Sequence, residues 1–272
     1  MEGNRSVRSW IEDLPKRGRI TFSIDEVERQ FVNMAKETIQ SSIYRMASKG
    51  RVCSVWRNYY AVVPVEYALR GFVPPIEYID NLMRHLGHRY YVGLLSAAAL
   101  HGSSHQQPQS FMVVANSDNI KSKVSRNVDI RFFVKSHICD DFIQRKKASY
   151  AEVMVSDPVM TALDLILYEN RIGGLERAAA IIGGLAEEFD FTSVDPQLWV
   201  SFPTPVVQRF GYIVEMVLEY AELGDTVYQA LRNIDGGFRK SFLDPRARLK
   251  ETGEYQYNPR WKIIVNADME ID

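Results

Sequence analysis

The chain has 272 residues, of which 46% are hydrophobic and 25% charged, and its formal net charge is −1. This composition is typical of folded globular proteins, and the near-neutral net charge excludes a protein that binds polyanions over its whole surface. The longest apolar runs, such as residues 92–100, fall far short of the roughly 20 residues that a helix needs to span a bilayer.

The first sixty residues predict the elements of one winged helix-turn-helix unit. These are a helix over residues 6–14, a strand at 20–22, a second helix with a capping box at Ser23 and Glu26, a third helix from 36 that ends at Gly50, and two strands at 52–55 and 59–63. In the third helix Ile39, Ile43 and Met46 recur at helical spacing, so we expect one of its faces to be buried.

The opposite face of the third predicted helix carries side chains that can bond phosphates or base edges. They are Lys36, Gln40, Ser41, Tyr44 and Arg45. The turn between the two strands adds Arg57, which we expect to reach a phosphate or the minor groove, and Asn58, which tolerates positive φ. Residues 1–62 have a net charge of +4 and residues 63–228 one of −6. The sequence therefore predicts a local basic face that binds a defined site on double-stranded DNA.

Pro74 and Pro75 disfavour helix and predict a stiff connection near residue 70. We therefore predict a winged-helix DNA-binding domain over residues 1–70 and a second domain over 71–272. The second domain is predicted to contain helices at 76–86, 94–101, 158–168, 175–186, 206–223 and 226–234, and strands at 90–91, 110–115, 128–134, 150–155 and 261–265. The predicted fold class is α+β, with a winged helix followed by a mixed domain that has a small sheet and a helical half.

The sequence gives only weak indications of a catalytic or metal site. His85 and His88 have a spacing that zinc sites use, but no third ligand lies near them in the sequence. A nucleotidyltransferase needs two neighbouring carboxylates for its metal ions, whereas Asp129 is followed by Arg131 where the second carboxylate would lie. We predict no catalytic role, no metal and no cofactor.

The C-terminal part is basic again, with a net charge of +4 over residues 229–262. Arg246, Arg248 and Lys250 alternate with other residues, so an extended segment would place all three on one edge. Two interpretations stay open, a solvated surface and a surface that contacts a partner protein or nucleic acid.

Three stretches together resemble the AbiEi family, the antitoxins of bacterial AbiE type IV toxin–antitoxin systems, which act in phage defence. They comprise residues 41–45 (SSIYR), 49–52 (KGRV) and 55–61 (VWRNYYA), then 90–102 (YYVGLLSAAALHG), and finally 151–165 (AEVMVSDPVMTALDL). The resemblance implies an autorepressor that binds inverted repeats upstream of its own operon. It also implies that the second domain counteracts a nucleotidyltransferase-like toxin without needing a stable complex. Family members usually have a glycine in the wing turn, where this chain has Arg57 and Asn58.

An alternative is a winged-helix transcriptional regulator whose second domain senses a small ligand. A neighbouring gene for a nucleotidyltransferase-like protein would favour the antitoxin. In either case we expect a cytoplasmic protein, because the N-terminus lacks the apolar core of a signal peptide and Cys53 and Cys139 lack a disulfide pattern.

Overall fold

The computed structural model describes residues 6–103, 108–125, 128–190, 196–234, 237–247 and 255–269. Helices and small sheets are combined, which confirms the α+β class. The helices are α1 Val7–Glu12, α2 Ile24–Gln30, α3 Lys36–Ser48, α4 Ile79–Leu86, α5 Leu94–Leu100, α6 Pro158–Leu167, α7 Glu169–Ile172, α8 Leu175–Leu185, α9 Pro196–Val200, α10 Thr204–Tyr212 and α11 Ala221–Arg232.

The strands are short, as expected for a protein with several small sheets. They are β1 Thr21–Ser23, β2 Val52–Trp56, β3 Tyr59–Val62, β4 Tyr90–Val92, β5 Phe111–Ala115, β6 Lys123–Val124, β7 Asp129–Val134, β8 Ile143–Lys147, β9 Glu152–Ser156, β10 Ser241–Phe242, β11 Gln256–Asn258 and β12 Ile263–Val265. The three sheets have the strand orders β1-β3-β2, β6-β7-β5-β4-β9-β8 and β10-β12-β11.

The chain divides into two compact units. The N-terminal unit comprises residues 1–90, 115–134 and 145–154, and the C-terminal unit comprises residues 91–114, 135–144 and 155–272. The predicted assignment of residues 1–70 and 71–272 to separate domains stays a prediction.

In the N-terminal unit, α3 forms where its apolar spacing predicts it. Ile39, Ile43 and Met46 are buried, and β3 pairs antiparallel with both β1 and β2. The Ser23 hydroxyl accepts a hydrogen bond from the Glu26 N–H at 3.1 Å, which caps α2 as predicted. Glu26 does not complete the capping box, because its carboxylate is paired with Arg19.

In the C-terminal unit, α6 begins at Pro158 and Asp157 caps it, as the sequence predicts. The Asp157 carboxylate accepts a hydrogen bond from the Met160 N–H at 2.7 Å. The helix predicted over residues 206–223 is divided instead. Its first part is α-helical over Thr204–Tyr212 and continues as a π-helical turn at Ile213–Val217, and its last residues belong to α11, which begins at Ala221. The two parts are separated at Glu219, whose φ of +61° does not belong to a right-handed helix.

The buried side chain of Gln208 holds the end of the chain against α10. Its Nε2 donates to the backbone carbonyls of Arg239 and Trp261 at 2.7 and 2.6 Å, and its Oε1 accepts from the Arg239 N–H at 3.1 Å. The fully buried Trp261 ring lies directly over Gly211, where there is no room for a Cβ atom. Three hydrogen bonds and one aromatic ring therefore hold the segment that carries β10 and β12.

We predict that Gly211→Ala destabilises the protein, because the new Cβ would overlap the Trp261 ring. Overpacking of this kind costs about 1–3 kcal/mol or more in the free energy of unfolding. Gly183→Ala is the matched control, since a Cβ there meets only the end of the Leu218 side chain at 3.2 Å. Helix propensity should stabilise the control by up to about 1 kcal/mol. Equal urea denaturation midpoints for the two variants would contradict this packing.

Candidate functional site

The outward face of α3 brings together most of the predicted DNA-binding residues. Gln40, Ser41, Tyr44 and Arg45 are exposed and line one shallow depression. Tyr44 is 75% exposed, which is a large fraction for an aromatic side chain. The Arg45 Nε donates to the Ser41 carbonyl at 3.2 Å, which turns the guanidinium along the helix surface.

Lys36 lies at the start of α3 and is held by a carboxylate of α2. Its Nζ is 2.9 Å from Oε2 of Glu28. The hydrogen bond and the charge of Glu28 raise the pKa of Lys36 above its usual value. A DNA contact by this lysine would therefore compete with an ion pair inside the protein.

The turn between β2 and β3 exposes Arg57 and Asn58. Asn58 has a φ of +57°, a left-handed conformation that asparagine adopts more readily than most residues. Its carbonyl accepts a hydrogen bond from the Ile24 N–H at 3.0 Å. Asn58 thus fits the turn without the glycine that is usual in the AbiEi family, and Arg57 is left free to point outward.

A second polar stripe on α3 was not assigned from the sequence. Its members are Thr38, Ser42, Arg45 and Lys49, the last of which is the C-cap residue of α3. They follow one another at spacings of four, three and four residues, so they lie along one side of the helix. Their spacing alone could have indicated this stripe. Its neighbours on α1 could not be foreseen, because they are about forty residues away in the chain.

The side chains that the sequence offers as metal ligands make other contacts. The Asp129 carboxylate is paired with the Arg131 guanidinium, with Oδ2 3.2 Å from Nη2. The His85 ring stacks on Tyr59 with centroids 4.5 Å apart. Within the described ranges, no group of three His, Cys, Asp or Glu side chains could hold a metal ion.

Of the predicted partner surface, only Arg246 lies within the described residues, and Arg248 and Lys250 lie outside them. The Arg246 side chain is exposed, and its Nη2 is 3.7 Å from Oε1 of the buried Glu169. The same carboxylate oxygen is 4.0 Å from Nη1 of the buried Arg209. Arg246 is thus partly neutralised, and its role in binding a partner stays a prediction.

A protein-family model described as AbiEi antitoxin C-terminal domain matches residues 91–216. The chain carries an AbiEi antitoxin domain. The match includes nearly all of the second and the whole of the third stretch that resemble the AbiEi family, and it confirms the resemblance there. The crystal structure of the RV2827C protein from Mycobacterium tuberculosis is similar in fold, with a TM-score of 0.63 and 11% sequence identity, over 94% of this chain and 89% of that one. No curated protein matches the chain.

The AbiEi antitoxin domain has a buried charged cluster at its centre. Oδ2 of the fully buried Asp164 accepts a hydrogen bond from the Tyr91 hydroxyl at 2.6 Å, and its Oδ1 is 3.3 Å from Nζ of Lys135. The Lys135 ammonium also lies 3.4 Å from the centre of the Phe202 ring. Burial raises the pKa of Asp164 above its usual value, although Lys135 and Tyr91 both favour the charged form. The cluster holds Tyr91, in the middle of β4, and Lys135, which directly follows β7, against α6.

No helix among the described residues is long and apolar enough to cross a membrane.

We predict that Lys135→Met destabilises the AbiEi antitoxin domain because it leaves the Asp164 carboxylate buried without its cation. Loss of one partner of a buried pair costs about 3–5 kcal/mol. The loss should be largest near pH 8 and smaller near pH 5, because a carboxyl group with a raised pKa is progressively protonated as the pH falls.

Urea denaturation at both pH values checks this prediction, with the exposed Lys240→Met as the control. Adding Asp164→Asn to Lys135→Met should recover part of the lost stability, since the uncompensated charge is then absent. A Lys135→Met variant as stable as Lys240→Met at pH 8 would show that the pair does not support the domain.

Proposed function

We propose that this protein is the antitoxin of a type IV toxin–antitoxin system and that it represses its own operon by binding the operator. The AbiEi antitoxin domain over residues 91–216 supports the antitoxin role. The DNA-binding role is supported by the N-terminal unit, where α1, β1, α2, α3, β2 and β3 follow in the order of a winged helix. The sheet order β1-β3-β2 is the one that a wing hairpin backed by a short strand requires.

The single observation that carries the DNA proposal is the outward polar face of α3. A helix with its side chains is roughly 10–12 Å wide, close to the roughly 12 Å width of the major groove. Gln40, Ser41, Tyr44 and Arg45 are exposed on this helix, while its apolar side is buried in the unit. Amide, hydroxyl and guanidinium groups are the donors and acceptors that read base edges and phosphates.

The turn after β2 supplies the second contact of this proposal. Arg57 is exposed at the tip, and Asn58 gives the turn its positive φ. A cation at this place would bind a phosphate or enter the minor groove. Lys36 completes the predicted set, provided that it leaves Glu28 when DNA binds.

The partner in this proposal is a nucleotidyltransferase-like toxin encoded beside the antitoxin, and the DNA site contains inverted repeats. Neither a stable toxin complex, nor a cofactor, nor a catalytic step is required. Arg246, Arg248 and Lys250 form the proposed surface for the toxin or for the nucleic acid that it modifies. The ion pair of Asp129 with Arg131 is consistent with a regulatory rather than a catalytic protein.

We predict that Arg45→Ala weakens binding to the DNA upstream of the operon by about 1–3 kcal/mol and relaxes specificity at one position, if Arg45 reads a base. Arg57→Ala should weaken binding to all sequences alike and lower the salt slope by about one unit. Fluorescence anisotropy on the upstream duplex and on a shuffled duplex measures both effects. Arg84→Ala, an exposed arginine of α4 that pairs with Asp80, is the matched control.

The antitoxin role has its own test in the same variants. Cells that express the neighbouring toxin should still be rescued by the Arg45→Ala, Arg57→Ala double variant, because its C-terminal unit is unchanged. Wild-type affinity of the double variant for the upstream duplex would refute the DNA-binding face. Failure of the wild-type protein to restore growth would refute the antitoxin role.

A further inference from the structure

A groove of about 340 Å³ lies between α1 and α3 in the N-terminal unit. Its lining includes the second polar stripe of α3 and the basic side chains that face this stripe. The polar residues that matter are Arg8, Thr38, Ser42, Arg45, Lys49 and Arg51. Four cations and three hydroxyl groups, counting that of Ser6, therefore surround one cavity on the surface of a single compact unit.

The charge in this groove is only partly balanced. Glu12 pairs with Arg8, whose Nε is 3.0 Å from Oε1, and with Arg51. Burial by itself would raise the pKa of Glu12, but the hydrogen bonds from Arg8 and Arg51 outweigh it and lower the pKa below its usual value. Arg45 and Lys49 have no carboxylate partner among the residues that the structure describes. The groove thus keeps an excess of positive charge.

The chemistry of the groove fits a phosphodiester group. Guanidinium and ammonium groups bind phosphate oxygens through charge-assisted hydrogen bonds, and serine and threonine hydroxyls commonly supplement them on DNA. Arg45 belongs both to this stripe and to the face proposed to read bases. If α3 lies in the major groove of a DNA duplex, the sugar–phosphate backbone that borders the major groove would therefore lie alongside the protein groove between α1 and α3.

We propose that the groove between α1 and α3 binds a backbone phosphate of the DNA strand that flanks α3. This inference rests on the proposed DNA-binding function and extends it to residues that the base-reading face does not include. Lys49 is the main phosphate ligand, and Thr38 and Ser42 donate from the same side of α3. Glu12 opposes binding, because its carboxylate neutralises two of the four cations.

Two substitutions with opposite expected effects test the proposal in the full chain. Lys49→Ala should weaken binding to the upstream duplex and to a shuffled duplex of equal length by the same factor, and should lower the slope of log affinity against log salt by about one unit. Glu12→Gln keeps the shape of the side chain but releases Arg8 and Arg51. It should strengthen binding to both duplexes and raise the slope by up to about one unit.

Lys16→Ala is the matched control, since Lys16 is an exposed lysine of the same unit that pairs with Asp13 outside the groove. All three variants should have the thermal stability of the wild-type protein, because exposed charges contribute little to folding. Wild-type affinity and slope for both Lys49→Ala and Glu12→Gln, in a protein that binds the upstream duplex, would overturn the phosphate site alone. A wild-type protein that binds neither duplex would overturn the proposed DNA-binding function as well.

Discussion

The burial of one side of α3 fixes what the rest of the N-terminal unit presents to solvent. Ile39 is fully buried, and Ile43 and Met46 are nearly so, which sets the rotation of the helix about its axis. Burial of each such side chain contributes about 1.5–3 kcal/mol, so rotation of α3 by even one residue would be costly. The outward polar face of α3 and its second polar stripe, which lie on either side of these apolar residues, are therefore exposed to solvent. Their positions are a consequence of core packing rather than of contacts between polar groups.

A different constraint organises the AbiEi antitoxin domain. Asp164 and Lys135 are both buried, and their opposite charges compensate each other. The Tyr91 hydroxyl also donates to the Asp164 carboxylate, and the Phe202 ring lies against the Lys135 ammonium. A buried charged pair adds little stability compared with apolar residues, but loss of one partner is costly. The pair thus favours one arrangement of its strands and helices over others. Gln208 has a comparable effect on the end of the chain, where it satisfies three backbone groups.

The elements with strong local signals could be predicted from the sequence. The cap at Ser23, the start of α6 at Pro158 and the apolar spacing of α3 each depend on residues close together in the chain. Strand β8 was not predicted, because Ile143–Lys147 is mostly polar and lacks an alternating pattern. Strands β10 and β11 are too short to show any period. The π-helical turn after α10 has no local signature that distinguishes it from α-helix.

The candidate site shows the same division between local and distant signals. The exposed face of α3 follows from helical spacing alone, whereas the pairing of Lys36 with Glu28 and of Glu12 with Arg51 depends on how separate elements pack. The groove was not predicted for this reason. Thr38 and Ser42 can be assigned to a phosphate site only once the structure shows Arg8 and Arg51 beside them.

The most direct test of the central claim is a footprint of the full-length protein on the DNA upstream of its own operon. Cleavage of that DNA should be suppressed over two half-sites related by an inverted repeat, and the Arg45→Ala, Arg57→Ala double variant should leave the DNA unprotected. The contradicting result is a wild-type protein that rescues cells from the toxin but protects no region of this DNA. The protein would then be an antitoxin that does not act as an autorepressor through α3.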